Sequence, residues 1–216
     1  MKLIHNDKGA THHFWGEVAP TQHLVQIYDS EAPFLVALEG FLVEGLNAGD
    51  SVVVIATAAH REALEARLQA RGVDAAQLRK SDHYIDLDAE ATLKLFMVDD
   101  WPDESRFRQT IAKILARASA GQTRRVRAFG EMVALMWAQG QCAATVRLEH
   151  LWHRICETER LALLCAYPKS GFTSDVAASI RQICDAHSHV VVAGNRLIPR
   201  AVNSMNELTR TLAPNS

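Results

Sequence analysis

The run SVVVIAT at Ser51–Thr57 decides the fold class of this chain. Its apolar residues are consecutive and mostly β-branched, with no alternating polar positions. Such a run is typical of a strand that is buried on both faces, as in a parallel sheet covered by helices on both sides. An amphipathic helix over Arg61–Arg71 is predicted to follow, which makes the first clear unit a strand joined to a helix.

The same alternation of strand and helix extends outward along the chain in both directions. Further strands are predicted at His23–Tyr28, Tyr84–Asp88, Arg125–Phe129 and Leu161–Tyr167, with an edge strand at Val190–Val192. Helices are predicted from a cap at Asp29 or Ser30 to Leu46, over Ala89–Val98, Phe107–Ala118, Val133–Ala138 and Thr145–Glu159, and after a cap at Asp175, with a turn at Trp101–Asp103. The pattern predicts an α/β fold: a three-layer, doubly wound, mainly parallel sheet of five or more strands.

The chain contains no repeat and no low-complexity linker. We therefore expect one domain over residues 21–205, with an N-terminal arm at 1–20 and a C-terminal tail at 206–216. The arm carries two aromatic side chains, Phe14 and Trp15.

Composition excludes several classes of protein. The 216 residues are 48% hydrophobic and 22% charged, with a formal net charge of -2. That balance is ordinary for a globular chain and offers no basic field for nucleic acid. No apolar run approaches the ~20 residues of a membrane span, and no secretory leader is visible, so we expect a cytoplasmic protein. Cysteines at irregular spacing are expected to be buried thiols: Cys142, Cys156, Cys165 and Cys184.

No motif for catalysis appears. A phosphate loop would follow the first strand, but the residues there read YDSEAPF at Tyr28–Phe34. They include no glycine and no lysine, and their two acids would repel a triphosphate. Dinucleotide-binding and nucleophile-elbow motifs are also missing. The sequence therefore predicts a non-enzyme without a cofactor.

Polar residues do stand where the predicted strands end. Ligands of open α/β sheets gather at the carboxyl ends of the strands. The residues at those ends predict a modest pocket for a small polar or cationic molecule, lined by Tyr28, Asp29, Thr57, His60, Glu131 and Tyr167. The simpler alternative is that Asp29 only caps a helix and Asp88 only ends a strand.

Three other polar groups have a structural and a functional interpretation. Glu149, His150 and His153 lie on one helix at spacings that suit a metal, but an exposed polar face is the preferred interpretation. The pairs His12–His13 and His187/His189 are expected at the surface. Arg124, Arg125 and Arg127 are expected to form a solvated strand end rather than a nucleic-acid patch.

Several stretches carry a family resemblance in the expected order. They are HLVQIYDS at His23–Ser30, FLVEGLNAGDSVVVIAT at Phe41–Thr57, LDAEATLKLFMVDDWPDESRF at Leu87–Phe107, VRAFGEMVALMWAQG at Val126–Gly140, LEHLW at Leu148–Trp152 and LCAYP at Leu164–Pro168. With them the chain resembles the MEDS domain, a methanogen/methylotroph, dichloromethane-regulator-type sensory domain. The resemblance implies a RecA/KaiC-like fold with a degenerate phosphate loop, used as a sensory module for small organic molecules.

Three functional hypotheses follow. The first is a sensor that binds a small molecule at the strand ends and signals to a separate histidine kinase or response regulator; both a monomer and a homo-oligomer are compatible with it. In it, Arg127, Glu149 and Trp137 are structural, and Glu131 either contacts the ligand or pairs with Arg127. The second is a degenerate nucleotide binder or slow ATPase. The third is a ligand-free interaction module that presents Phe14 and Trp15, unless these side chains cover their own sheet.

Overall fold

The computed structural model describes residues 15, 18–19, 21–172, 176–192 and 196–199. Its centre is a seven-stranded sheet. The strands are β1 (His23–Tyr28), β2 (Ser51–Ala56), β3 (Tyr84–Asp88), β6 (Val126–Gly130), β7 (Leu161–Pro168), β8 (His189–Val192) and β9 (Arg196–Pro199). They lie side by side in the order β3-β2-β6-β7-β1-β8-β9. Neighbours from β3 through β8 pair in parallel, and β9 is antiparallel to β8. The predicted mainly parallel α/β fold is confirmed.

Helices cover both faces of this sheet. They are α1 (Glu31–Asn47), α2 (Ala58–Ala70), α3 (Ala75–Lys80), α4 (Ala89–Lys94), α5 (Glu104–Ala118), α6 (Met132–Ala138), α7 (Cys142–Thr158) and α8 (Val176–Asp185). One core packs under α1, α2 and α3, and the other under α4 to α8. The central strands alternate between the two cores: Val53 and Ile55 face the second, while Val52 and Val54 face the first. This explains why β2 is apolar at every position.

Side chains directly before four of the helices cap their N-termini. Thr57, Asp74, Asp88 and Asp103 accept hydrogen bonds from backbone N–H groups of the first turns of α2, α3, α4 and α5. These bonds satisfy donors that have no partner within the helix. Asp88 therefore does cap a helix. Of the two predicted cap residues of α1, Ser30 holds the cap position, although its side chain makes no such bond, and Asp29 does not cap this helix.

The region after β3 differs most from the predicted elements. The helix predicted to reach Val98 ends at Lys94, and a hairpin of β4 (Met97–Val98) and β5 (Trp101–Pro102) replaces its end and the predicted turn. Asp99 and Asp100 between these strands both have positive φ, 48° and 59°. Two such residues form the tight turn that matches the twist of a hairpin. Aspartate tolerates this conformation better than most residues do.

Other element boundaries also differ from the predicted ones. Helix α2 begins at Ala58 and α7 at Cys142, both three residues before the predicted starts, and α3 was not predicted. β8 is not an edge strand, because it lies between β1 and β9. The predicted cap Asp175, the pair His12–His13, Phe14 and the tail lie outside the described residues.

Two buried residues correct expectations about the surface. Arg127 is not solvated: its Nε lies 3.0 Å from Asp50 Oδ2, and its Nη1 donates to the Trp15 carbonyl at 2.8 Å. Trp15 is buried and meets the Phe41 ring edge-on, with centroids 5.3 Å apart. Trp15 thus covers its own domain instead of presenting a partner surface. Cys142 is exposed, whereas the other three cysteines are buried as expected.

Among the described helices, none has the length and the apolar character needed to cross a bilayer.

Candidate functional site

Four of the predicted site residues meet at the carboxyl edge of the sheet: Tyr28, Thr57, His60 and Glu131. Glu131 directly follows β6 and is largely buried. Its Oε2 accepts the Thr57 backbone N–H at 2.8 Å and the Thr57 hydroxyl at 3.1 Å. Thr57 ends β2 and caps α2, so these bonds tie the start of α2 to the end of β6. Glu131 makes no pair with Arg127, contrary to one of the two predictions for it.

His60 lies between two carboxylates. Its Nδ1 is 2.8 Å from Glu131 Oε1, and its Nε2 is 3.2 Å from Glu31 Oε1. A carboxylate only accepts hydrogen bonds, so this arrangement favours a proton on both ring nitrogens. The hydrogen bond to Glu131 accordingly raises the pKa of His60, with a further contribution from Glu31. Glu31, in the first turn of α1, was not predicted as a site residue.

An aromatic layer closes one side of this group. The Tyr28 ring stacks on Phe34 with centroids 4.4 Å apart, and Phe34 meets His60 edge-on at 5.3 Å. Burial, together with the charges of Glu131 and Glu31, raises the pKa of Tyr28 to about 12. Tyr28 therefore stays a neutral hydroxyl that can donate or accept a hydrogen bond.

Asp29 lies at the end of β1 but outside this network. Its side chain is largely exposed, and its Oδ1 pairs with Lys169 Nζ at 3.2 Å. This contact joins the ends of β1 and β7 at the surface.

Tyr167 belongs to a different site. It points to the opposite face of the sheet, where its hydroxyl donates a very short hydrogen bond to Glu149 on α7. Trp137 meets the Tyr167 ring edge-on at 6.3 Å and donates its indole N–H to the Gly171 carbonyl at 3.1 Å. Trp137 thus packs beside Tyr167 on this face, and Tyr167 lies on the face of the sheet opposite to Tyr28.

Glu149 is the centre of a second, fully buried group. Around it lie His23 at the start of β1, Cys165 in β7 and His187 after α8. The predicted exposed face for Glu149 and the predicted surface position of His187 are wrong, although His150 is exposed. Burial and the neighbouring His187 lower the pKa of His23 to about 4. The pKa of Glu149 is lowered despite its burial, because His187 and His23 favour the carboxylate.

The sequence profile of one family matches residues 22–188, a stretch that includes both groups. That profile describes MEDS, the methanogen/methylotroph, DcmR sensory domain. The chain belongs to the MEDS family. A search of curated proteins returned no match to this MEDS chain. The family assignment supports a sensory role in signalling.

Two concave surfaces in the described part of the MEDS domain lie away from the carboxyl edge. A pocket of about 390 Å³ is lined by the starts of β6 and β7 and by α5 and α7. Another, of about 400 Å³, surrounds the turn from α2 to α3 at Gly72–Ala76. Neither is lined by a predicted site residue. The carboxyl-edge group is the candidate site because the charged side chains of Glu31, His60 and Glu131 converge there.

The sequence held a signal for the second group that the predictions missed. His23 and Cys165 have the same parity as the core residues Val25 and Leu163 in their strands, and alternate strand residues share a face. Glu149 stands four residues after the buried Thr145 and three before the buried Trp152, which places it on the inner stripe of α7. His187 had no such signal, since it lies in a connection.

Proposed function

We propose that this MEDS domain is a non-catalytic cytoplasmic sensor that binds a small polar or cationic molecule at the carboxyl edge of its sheet. Its signal would pass to a separate histidine kinase or response regulator. One observation carries the proposal: His60 bridges the carboxylates of Glu31 and Glu131. Glu131 is mostly buried while Glu31 is 69% exposed, so the bridge has a protein-facing half and a solvent-facing half.

This bridge connects three parts of the fold, and a ligand that binds to it can change the position of all three. Glu31 begins α1, His60 lies in the first turn of α2, and Glu131 stands between β6 and α6. A cationic ligand group at Glu31 competes with His60 for that carboxylate, and a hydrogen-bonding group finds the Tyr28 hydroxyl beside it. Either contact changes the restraint on α1 relative to α2. A ligand shifts a conformational equilibrium only through such differential contacts.

The degenerate phosphate loop is part of the same proposal. Only Asp29 and Ser30 separate β1 from α1, which is too short to wrap around a phosphate. The first turn of α1 carries the Glu31 carboxylate, where a nucleotide would place negative charge. The slow-ATPase alternative is therefore disfavoured, and a RecA/KaiC-like ancestry without nucleotide binding is preferred.

Native mass spectrometry of the freshly purified full chain tests the proposal. We expect a retained small molecule in the wild type that is reduced in Glu31→Gln and in Glu131→Gln. Glu62→Gln is the matched control, because Glu62 lies on α2 with its side chain exposed. The same spectra report whether the chain is a homo-oligomer.

The other outcomes contradict the proposal in different ways. Retention of a nucleotide, or saturable binding of added Mg-ATP at micromolar concentration, would favour the ATPase hypothesis. A bare chain that binds no Mg-ATP would favour the ligand-free interaction module. A retained mass that is equal in all four proteins would move the ligand away from the carboxyl edge.

A further inference from the structure

The buried group on the other face of the sheet has the composition and geometry of a metal site. We propose that His23, Glu149, Cys165 and His187 bind a single Zn²⁺ ion in a closed tetrahedral site. The proposal is independent of the carboxyl-edge sensor, which lies across the sheet. All four side chains are buried, and one ligand atom from each lies within 4.8 Å of the others.

Four of the six separations among the ligand atoms match the edges of a zinc tetrahedron, and the other two, from His187 to His23 and to Cys165, are within 4.8 Å. Glu149 Oε2 lies 3.3 Å from His23 Nε2 and 3.4 Å from His187 Nε2. Cys165 Sγ lies 3.5 Å from His23 Nε2 and 3.5 Å from Glu149 Oε2. Zinc bonds of about 2.0–2.1 Å to nitrogen or oxygen and about 2.3 Å to sulfur give edges of about 3.3–3.4 Å, or about 3.5–3.6 Å where sulfur takes part.

His187 is oriented as metal-binding histidines are. Its Nδ1 lies 2.8 Å from the Ile183 carbonyl oxygen. A carbonyl only accepts, so Nδ1 carries a proton, and on the neutral ring Nε2 then presents its lone pair to the centre of the group. A backbone carbonyl on the distal nitrogen is the usual way in which a protein fixes that tautomer. The hydroxyl of Tyr167 supports the carboxylate of Glu149 in the same manner, on the oxygen that faces away from the histidines.

The group as it stands leaves polar atoms unpaired. His187 Nε2 is fully buried and makes no hydrogen bond within the described part of the chain, although it points at Glu149 Oε2. On a neutral His187 ring this contact sets a nitrogen lone pair against a carboxylate oxygen, which is repulsive; without a metal, the contact is favourable only with a second proton on the buried ring, whose burial disfavours that charge. A cation between the two atoms removes the repulsion and satisfies both.

Charge leads to the same conclusion. Glu149 is wholly buried, and among the described residues the only side chains that can pair with its charge are His23 and His187, which are cationic only when protonated. Buried carboxylates are normally compensated by a cationic side chain or by a metal. One thiolate and one carboxylate balance the two charges of Zn²⁺, and the two imidazoles complete the site as neutral ligands. All four positions belong to the protein, which is the pattern of structural rather than catalytic zinc.

Such an ion would join segments that are distant along the chain. His23 starts β1, Glu149 lies on α7, Cys165 lies in β7 and His187 precedes β8. Because the ligands meet only in the folded chain, metal binding and folding are coupled. The site is fully enclosed, so the ion would enter during folding.

The test uses the full chain, unfolded in denaturant with a chelator and refolded under reducing conditions with or without Zn²⁺ or Co²⁺. We expect one equivalent of metal per chain, a higher melting temperature with Zn²⁺, and a thiolate-to-cobalt charge-transfer band with tetrahedral d–d absorption for Co²⁺. Cys165→Ser should abolish the charge-transfer band, while Cys184→Ser, which changes another buried thiol, should keep it. His187→Gln should lose the metal, while His189→Gln should retain it.

A milder variant keeps the test decisive if the ligand variants fold poorly. Tyr167→Phe removes only the hydroxyl that supports Glu149, and it should weaken zinc affinity by about 10–100-fold, as outer-shell substitutions do. The proposal is overturned if the refolded wild type has native circular dichroism and retains no metal. It is also overturned if uptake in Cys165→Ser or His187→Gln equals that of the wild type, or if Tyr167→Phe binds zinc as tightly. Those results would identify the group as a buried hydrogen-bond network.

Discussion

Substitution of Glu131 by glutamine should destabilise the domain in a pH-dependent manner. The wild-type carboxylate accepts hydrogen bonds from the Thr57 backbone at 2.8 Å and from His60 at 2.8 Å. Glutamine keeps an oxygen for the Thr57 N–H, so its NH2 group faces the Nδ1–H of His60 and the hydrogen bond to the charged His60 is lost. A hydrogen bond to a charged group contributes about 1.5–3 kcal/mol, whereas a neutral one contributes about 1 kcal/mol. We therefore expect a loss of about 2 kcal/mol at about pH 6.

The pH dependence follows from the charge on His60. Its pKa in the folded protein is raised above the ordinary 6.5 by Glu131. A group with a raised folded pKa stabilises the protein below its unfolded pKa, and that stabilisation is lost as pH rises through the folded value. The difference between wild type and Glu131→Gln should therefore fall from about 2 to about 1 kcal/mol between about pH 6 and about pH 9.

Urea denaturation followed by far-UV circular dichroism measures this difference. Comparison at each pH cancels the contributions of the other histidines, which are the same in both proteins. Glu62→Gln, the exposed control on α2, should change stability by less than about 0.5 kcal/mol at every pH. A difference that stays constant, or grows as pH rises, would refute the charged His60–Glu131 bridge.

Two further substitutions test buried contacts on the same face of the sheet as the carboxyl-edge group. Trp15→Ala should lower the free energy of unfolding by about 3–5 kcal/mol, because the ring is buried against Phe41; an unchanged melting temperature would instead make Trp15 available to a partner. Arg127→Met should cost about 1.5–3 kcal/mol in denaturant unfolding, since it removes a charge-assisted hydrogen bond from the buried Asp50, which keeps its contact with Arg125 at 2.9 Å. The exposed Arg106→Met should cost less than about 0.5 kcal/mol, and equal losses in the two variants would contradict a specific role for the Arg127–Asp50 pair.

Much of the carboxyl-edge site was predictable because its residues follow strands directly. Parallel strands end at one edge, so Thr57 and Glu131 had to lie near each other once β2 and β6 were neighbours. Tyr28 ends β1, which β7 separates from β6, and it reaches the group through Phe34. Glu31 was missed because it begins a helix and resembles any acid in a first turn. Tyr167 was assigned to the wrong side, since proximity to a strand end does not say which face a side chain takes.

Local chemistry determined the elements of this protein. β-branched runs such as Val52–Ile55 specify buried parallel strands, and Asp88 and Asp103 specify helix starts, because these effects act over a few residues. The absence of a phosphate loop after β1 is likewise visible in the seven consecutive residues Tyr28–Phe34. The MEDS assignment rests on the same local stretches.

Only the tertiary structure decided which polar residues share an interior. His23 and His187 stand at opposite ends of the domain sequence, yet their rings lie 4.0 Å apart because β1 pairs with β8. That pairing depends on the strand order, which results from burial of both sheet faces across the whole domain and is encoded in no single segment. The sequence alone could show that His23 and Glu149 face a core. It could not show that they face the same part of it.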